Sequence, residues 1–562
     1  MRARLTLLAL AALFGGAAND YGPDPADGAS HFVGTGAFGD YLTGRSALQH
    51  ADLQVAADRL EAALTLEPGL PELANQAFVA AVLAAKPDAV RMAASLPDNP
   101  VARLVLANRE AKSGNWRAAE GAFDGLPLNG LTQALRPLLV AWAQHGDGRP
   151  GAALATLQDA IQGGRNRPVL ILHAALIADL AGRREDAERS YAAARVEYGG
   201  LNLRLGQILA SWQARAGDAP GTERLVADMV ADNGEMSMAR QSLVAEAASP
   251  AVRNATDGLA EVYLAMAATL RQQNGIDSAN VLLRLALDLR PGFTAARLLL
   301  SDIQEAAKQP EAALDTLADV PDTDALAPVV QVRRAGLMDA LDQVEPAVAS
   351  MEALAAQHPD RPEPLALAGD IFRRRSRFAE AAAVYDRAIA RLGIPTRANW
   401  PIFYERGIAK ERSGQWEQAE ADFKYALELS PNQPGVLNYL GYAWAEQGRN
   451  LDQAQSMIEQ AVAQRPEEGS FIDSLGWVLL LRGDKAGALR HLQRAVELMP
   501  EDGTINGHLG DALAAAGRHR EAEFQWRRAL TQNPEPADAA RIEAKLGALS
   551  TAGVSSAAPP AQ

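Results

Sequence analysis

The sequence predicts an all-α solenoid built from antiparallel helix pairs, and three observations carry that prediction. A small residue recurs at Ala56, Ala89, Ala119, Ala153, Ala187, Gly221, Ala279, Ala313, Ala347, Ala381, Ala419, Ala454, Ala488 and Ala522, mostly in steps of 34 residues. Self-similarity at such a period marks stacked supersecondary units. Hydrophobic residues make up 48% of the chain but aromatics only 5%, so the core must be built from Ala and Leu, which suits close-packed helices. The long β-branched, aromatic-rich runs that a large sheet needs do not occur. A stack of this kind presents a long surface and has little room for a buried catalytic pocket.

In chain order, residues 1–18 read as a signal peptide. Arg2 and Arg4 supply a positive start, Leu5 to Phe14 an apolar stretch, and Gly15-Gly16-Ala17-Ala18 the small residues for cleavage. The apolar run is too short to span a bilayer, and no later stretch resembles a transmembrane segment. An exported, periplasmic protein is expected. Residues 19–37, rich in Gly, Pro, Asp and Ala, read as a flexible lead-in. An N-terminal array follows over 38–230.

The step from Gly221 to Ala279 is too short for two repeats. Asp232-Asn233-Gly234 and Ser249-Pro250 break it, so 231–258 is expected to be an irregular connector dividing the array. A C-terminal array then runs over 259–535. It is interrupted by the small insertion Gly393-Ile394-Pro395-Thr396. Residues 536–549, with Arg541, Glu543 and Lys545 among apolar residues, read as a polar capping helix, which the end of a solenoid requires. The Ser-, Ala- and Pro-rich tail 550–562 is expected to be disordered.

The last repeats are the clearest. Ile472, Leu475, Gly476 and Leu479 share one helical face, and Arg482-Gly483-Asp484 breaks the helix. Ala488, Leu492 and Ala495 then form a second face that Pro500 ends. Leu509, Gly510, Leu513, Ala522, Trp526, Ala529 and Pro534 repeat the pattern. So do Leu440, Gly441, Trp444, Ala454, Ile458, Ala461 and Pro466, and Gly407, Ala419, Phe423, Ala426 and Pro431. Gly in the first helix and Ala in the second let the two backbones approach. The large residue four positions after that Ala is expected to fill the gap to the next repeat. Pro, lacking a backbone donor, sets the turn.

This pattern resembles the tetratricopeptide repeat (TPR) family across about residues 38–535, most closely over 400–535. The resemblance implies a right-handed superhelical solenoid whose concave groove is lined by the first helix of each repeat. It also implies which side chains face inward, namely those three before and one after the Gly. Carried onto this sequence, these are Tyr404 and Ile408, Asn438 and Tyr442, Asp473 and Trp477, and Gly507 and Asp511. Arg412, Glu446 and His508 extend the surface.

The candidate partner-binding residues are therefore Tyr404, Arg412, Asn438, Tyr442, Asp473, Trp477, His508 and Asp511. Aromatic faces with hydrogen-bonding ends suit an extended peptide or a partner helix. Packing of Tyr442 and Trp477 between repeats is the competing reading. The basic group Arg373, Arg374, Arg375 and Arg377 beside Phe372 reads as a solvated helix end. Tyr404 and Ile408 stand where chaperone-binding carboxylate clamps of the family place Lys and Asn, so binding of chaperone tails is not implied.

Signals for chemistry fail on context. Gly34-Thr35-Gly36-Ala37-Phe38-Gly39 matches GxGxxG but follows no apolar strand. No phosphate-binding GxxxxGK[ST] loop and no His-Glu-x-x-His pair is present. His491, His508 and His519 fall at different repeat positions. Asp473 and Ser474 have no His in a matching context for a triad. Cysteine is absent, so there is no disulfide, thiolate metal site, cysteine nucleophile or lipid-bearing cysteine. No catalytic residue, cofactor or metal is expected. The net charge of −15 argues against a nucleic-acid partner.

The expected function is a non-enzymatic scaffold or adaptor of the bacterial cell envelope that holds a protein or peptide partner in the concave groove. The segments Asn438–Tyr442, Ile472–Trp477 and Ile505–Asp511 are similar to those of bacterial envelope TPR adaptors, some of which serve processing proteases. Those adaptors are commonly lipoproteins, and this chain lacks the cysteine for lipidation. Assembly of an envelope or secretion complex is the alternative within the binding class. A TPR-fused enzyme is the alternative outside it.

Overall fold

The structure, a computed structural model, describes residues 35–50, 52–164, 166–231 and 233–555. The expected signal peptide, most of the lead-in, and residues 556–562 of the expected tail lie outside the described residues. Every regular element among the described residues is helical. All fourteen recurrent small residues lie in the second helix of a pair. Ala56, Ala119, Ala153, Ala187 and every one from Ala279 to Ala522 have no exposed surface.

The close approach has a local cause. A Cβ added at Gly476 falls 2.6 Å from Leu492, at Gly407 2.6 Å from Phe423, and at Gly510 2.4 Å from Trp526. The large residue four positions after each Ala therefore fills the space over the glycine of its own repeat. This corrects the expectation that it fills the gap to the next one. A Cβ at Gly441 would also meet the Ala454 carbonyl oxygen at 3.0 Å, so backbone faces backbone there.

Between the helices of a pair the chain makes one left-handed residue. At Gly483 (φ +88°), Asp484 N donates back to the Leu479 carbonyl at 2.9 Å. Asp484 then caps the next helix by accepting from Gly487 N at 2.9 Å. Lys308, Asp342 and Ser376 occupy the same turn in three successive repeats, at φ +62°, +61° and +57°.

The described chain belongs to two compact blocks, Met1–His358 and Pro359–Gln562. In the first block, six pairs from Thr35 to Val230, the second of them closed by the short helix Ala89–Ala93, lead to two further short helices, Gly234–Met238 and Arg240–Glu246. The pair Ala255–Gln272 and Ile276–Leu289 does not simply stack on the end. Ala255–Gln272 packs against the first helices Gly130–Gly146 and Arg167–Leu180, and Ile276–Leu289 against Pro71–Leu83 and Pro100–Lys112. The Tyr263 hydroxyl donates to Asn108. A Cβ at Gly258 would fall 2.3 Å from the Trp142 ring.

Residues Asp257 to Leu264 are buried without a break, so this helix is enclosed on all sides. The irregular stretch expected to divide the array thus lies inside one block, and the boundary between blocks falls at 358/359. The physical reason is that helix Ala255–Gln272 is held in the face of the repeats that precede the stretch.

The second block holds five pairs, beginning with Glu363–Arg374 and Phe378–Ile389 and ending with Gly503–Ala515 and His519–Leu530. The insertion at Gly393–Thr396 leads into a 3-10 turn, Arg397–Asn399, closed by a Thr396/Asn399 capping box. After Pro534 the chain forms helix Pro536–Ser555. No helix among the described residues is long and apolar enough to cross a membrane.

Candidate functional site

Four successive first helices of the second block, Trp400–Arg412, Pro434–Glu446, Gly469–Leu481 and Gly503–Ala515, carry the candidate residues. His508 is at the centre. Its Nδ1 stands 2.9 Å from Asp473 Oδ2 and 3.0 Å from Oδ1. Its ring lies flat on Trp477, 4.2 Å between centroids with 17° between planes. The Tyr442 ring is 6.2 Å away. Residues from three repeats thus meet at one point.

Burial alone pushes the His508 pKa down. The charge and hydrogen bond of Asp473, reinforced by Asp511 and Glu446, outweigh it and raise the pKa above the ordinary imidazole value. The Tyr442 hydroxyl is pushed up by burial first, then by Glu446, Asp473 and Asp538, with Arg541 opposing. Asp511 accepts from Trp526 Nε1 at 2.9 Å and from Lys545 Nζ at 2.6 Å.

Three polar atoms of this surface are buried with no hydrogen-bond partner: Asn438 Oδ1, Trp477 Nε1 and His508 Nε2. Leaving such atoms unpaired costs free energy; it also occurs away from this surface, as at Asn108 Nδ2 and Trp416 Nε1, and the three here are the ones on the candidate residues. The pairing of His508 with Asp473 has the form of a catalytic dyad. Ser474, the nearest hydroxyl in sequence, donates instead to the Ser470 carbonyl at 2.9 Å.

The remaining candidates sit at the rim. Tyr404 lies among the rings of Trp400, Phe423 and Tyr439, each 6.0 Å away, and packs as part of an aromatic cluster. Burial raises its hydroxyl pKa to about 12. The Arg412 guanidinium lies over Phe378 and bonds Glu535 at 2.9 Å. The Arg373–Arg377 group is engaged within the fold. Arg373 pairs with Glu405 at 2.7 Å, and Arg377 pairs with Glu380 and covers the Phe372 ring. Thr35 to Gly39 of the GxGxxG match form the first turn of helix Thr35–Gln49.

Sequence reasoning missed two features. One is the contact of Asp473 with His508, which needs the register between repeats. The other is the course of helix Pro536–Ser555, which returns along the candidate surface. Ile542 lies against Gly507, where a Cβ would meet its Cδ1 at 3.4 Å. Lys545 reaches Asp511, and Glu535 reaches Arg412. The signal was present in the sequence: Asp538, Arg541, Ile542, Lys545, Leu546 and Leu549 share one helical face.

The first block has a cavity of about 320 Å³ lined by Arg204, Gln207, Glu246, Arg253 and Arg290, among others. Its arginines are matched by acids: Arg204 and Arg290 by Glu261, and Arg253 by Asp257. It therefore presents a balanced internal network.

Tetratricopeptide repeat family patterns match residues 270–336 and 479–546 in one form and 339–393, 404–450 and 449–503 in another. A TPR repeat-containing protein of Pseudomonas aeruginosa is 29% identical over 110 residues, which is 20% of this chain and 18% of that relative. Among solved structures, the chain is similar to YrrB, described as a TPR protein with an unusual peptide-binding site. That match has 21% identity and a TM-score of 0.28 over 34% of this chain and 91% of that one. It is also similar to the APC/C hetero-tetramer Cut9–Hcn1, with 13% identity and a TM-score of 0.38 over 92% and 98% of the two chains. MamA of Desulfovibrio magneticus RS-1 matches at 20% identity and a TM-score of 0.27 over 30% and 94%.

Proposed function

Because the chain belongs over residues 270–546 to the tetratricopeptide repeat family, a family of protein-interaction scaffolds, we propose that it is a non-enzymatic adaptor holding a protein partner on the first-helix face of its second block. One observation carries the reading. Asn438, Trp477 and His508 hold unpaired buried hydrogen-bonding atoms on a surface otherwise made of Tyr442, Asp473 and Asp511. A partner that supplies an acceptor for Trp477 Nε1, a donor for Asn438 Oδ1 and a hydrogen-bonding group for His508 Nε2 completes it. Stacked aromatics with polar ends give such a surface both apolar area and direction.

The reading extends to the cell envelope, on the pattern of Arg2, Arg4 and the Leu5–Phe14 stretch. Service to a processing protease is the finer part of this proposal, supported by the resemblance of the C-terminal repeats to envelope adaptors. Cell fractionation and sequencing of the mature N-terminus test the location.

Affinity capture from a periplasmic extract tests the site, comparing the natural chain with Tyr442→Ala and Trp477→Phe. The Phe variant keeps the ring and removes the N–H. Loss of the same partner from both variants, with helicity retained, is the expected result. Retention of that partner by both places the interface elsewhere.

A further inference from the structure

The two blocks each carry a helix of their own across a first-helix face, and the two helices are built differently. In the first block, Ala255–Gln272 is buried on every side from Asp257 to Leu264 and belongs to the core. In the second, only Ile542 of the described side chains in Pro536–Ser555 is fully buried, at 2% exposure. Leu546 and Leu549 add partial cover. Two ion pairs add to the grip: Lys545 on Asp511, which is part-buried, and Glu535, just before the helix, on Arg412, which sits toward solvent. The exposed Glu535–Arg412 pair contributes little to stability, which leaves Ile542 and the Lys545–Asp511 pair as the main hold. The resident helix also leaves Asn438 Oδ1, Trp477 Nε1 and His508 Nε2 unpaired.

We propose that helix Pro536–Ser555 is a displaceable internal ligand of the second block, and that the partner is an amphipathic helix of the same pattern, with an acidic first turn and a Lys or Arg two turns later beside an Ile/Leu stripe. The charges run the same way along groove and ligand. Arg412 faces the acidic end, where Glu535 and Asp538 lie, and Asp511 faces the basic end at Lys545. The proposal rests on the binding reading above and adds its regulation. The short connection from Leu530 to Pro536 keeps the resident helix at an effective concentration on the order of millimolar. A partner succeeds by bonding the three atoms that the resident helix leaves unpaired.

The test uses the full chain and a fluorescein-labelled peptide of residues 534–550 as probe. In one variant Ile542→Asp and Lys545→Glu disable the resident helix. In a second, Asp511→Lys breaks the same contact from the other side, and Lys545→Asp added to it restores the pairing with its charges reversed. The double variant is expected to bind the peptide at least tenfold more tightly than the natural chain. Trypsin is expected to cleave at Arg541 at least tenfold faster in Asp511→Lys, and at the natural rate once Lys545→Asp is added.

Equal peptide affinity in the natural chain and the double variant overturns the proposal. So does a cleavage rate at Arg541 that Asp511→Lys leaves unchanged. Failure of the binding reading looks different: the peptide then behaves as expected, while captured partners ignore Tyr442→Ala and Trp477→Phe.

Discussion

The Tyr263 hydroxyl donates a 2.9 Å hydrogen bond to Asn108 Oδ1, joining side chains 155 positions apart inside a fold whose repeats otherwise meet mainly their neighbours. Both residues are fully buried. The bond fixes helix Ala255–Gln272 in the face formed by earlier first helices. Removing the donor with Tyr263→Phe leaves Asn108 with a buried, unpaired acceptor. Destabilisation of the first block by about 1–3 kcal/mol is expected, read as a lower urea midpoint with an unchanged slope.

Gly258 tests the same seating sterically. Its Cβ position lies 2.3 Å from Trp142, whose Nε1 donates to His173 Nδ1 at 2.9 Å. Burial lowers the His173 pKa to about 3, so the ring stays neutral and accepts. Gly258→Ala is expected to cost about 1–3 kcal/mol by overpacking. Gly39→Ala, whose Cβ meets nothing within 4 Å, serves as the control in parallel unfolding curves.

The left-handed turns give a prediction of opposite sign. Lys308 holds φ +62° where other repeats place Gly, as at Gly483 and Gly517. A left-handed residue with a Cβ costs roughly 1–2 kcal/mol. Lys308→Gly is therefore expected to stabilise the first block by about 1 kcal/mol, after allowing for the extra freedom glycine gains in the unfolded chain. Thermal unfolding checks it, and no gain means the lysine makes a compensating contact.

His508 gives the second block a pH dependence. Its folded pKa lies above the unfolded value of about 6.5. The stabilisation is thus fully present below about pH 6.5 and is lost as pH rises through the folded pKa. Asp473, Asp511 and Glu446 supply the negative field, and Lys545 offsets part of it through Asp511. The urea midpoint of the second block is expected to fall across that window. His508→Gln should flatten this component, and an unaltered slope would assign the dependence to other groups.

The repeats were legible because their cause is local and steric. A 34-residue return of Ala, with Gly in the helix before it, is a statement about which backbones touch, and Ala454, Ala488 and Ala522 are buried as that requires. The meeting of Asp473 with His508 was not legible, since spacing along one helix does not give the register between repeats. Helix Ala255–Gln272 reads in sequence as an ordinary first helix. Its place inside a block shows in the structure, where Asp257 and Glu261 are buried beside arginines and Tyr263 reaches Asn108. The polar residues of 536–549 read as those of a capping helix, whereas Lys545 among them pairs with Asp511, and Glu535 just before the helix pairs with Arg412.

The enclosure of helix Ala255–Gln272 also sets an order of events during synthesis. A plain solenoid can grow repeat by repeat as the chain emerges, because each repeat needs only its neighbour. Here the faces that receive that helix and its partner Ile276–Leu289, from Pro71–Leu83 to Arg167–Leu180, stay apolar and open until residues beyond 270 have been made. The first block consequently folds with the long-range contacts that slow folding and expose a nascent chain to aggregation. That ties its completion to one late pair of helices.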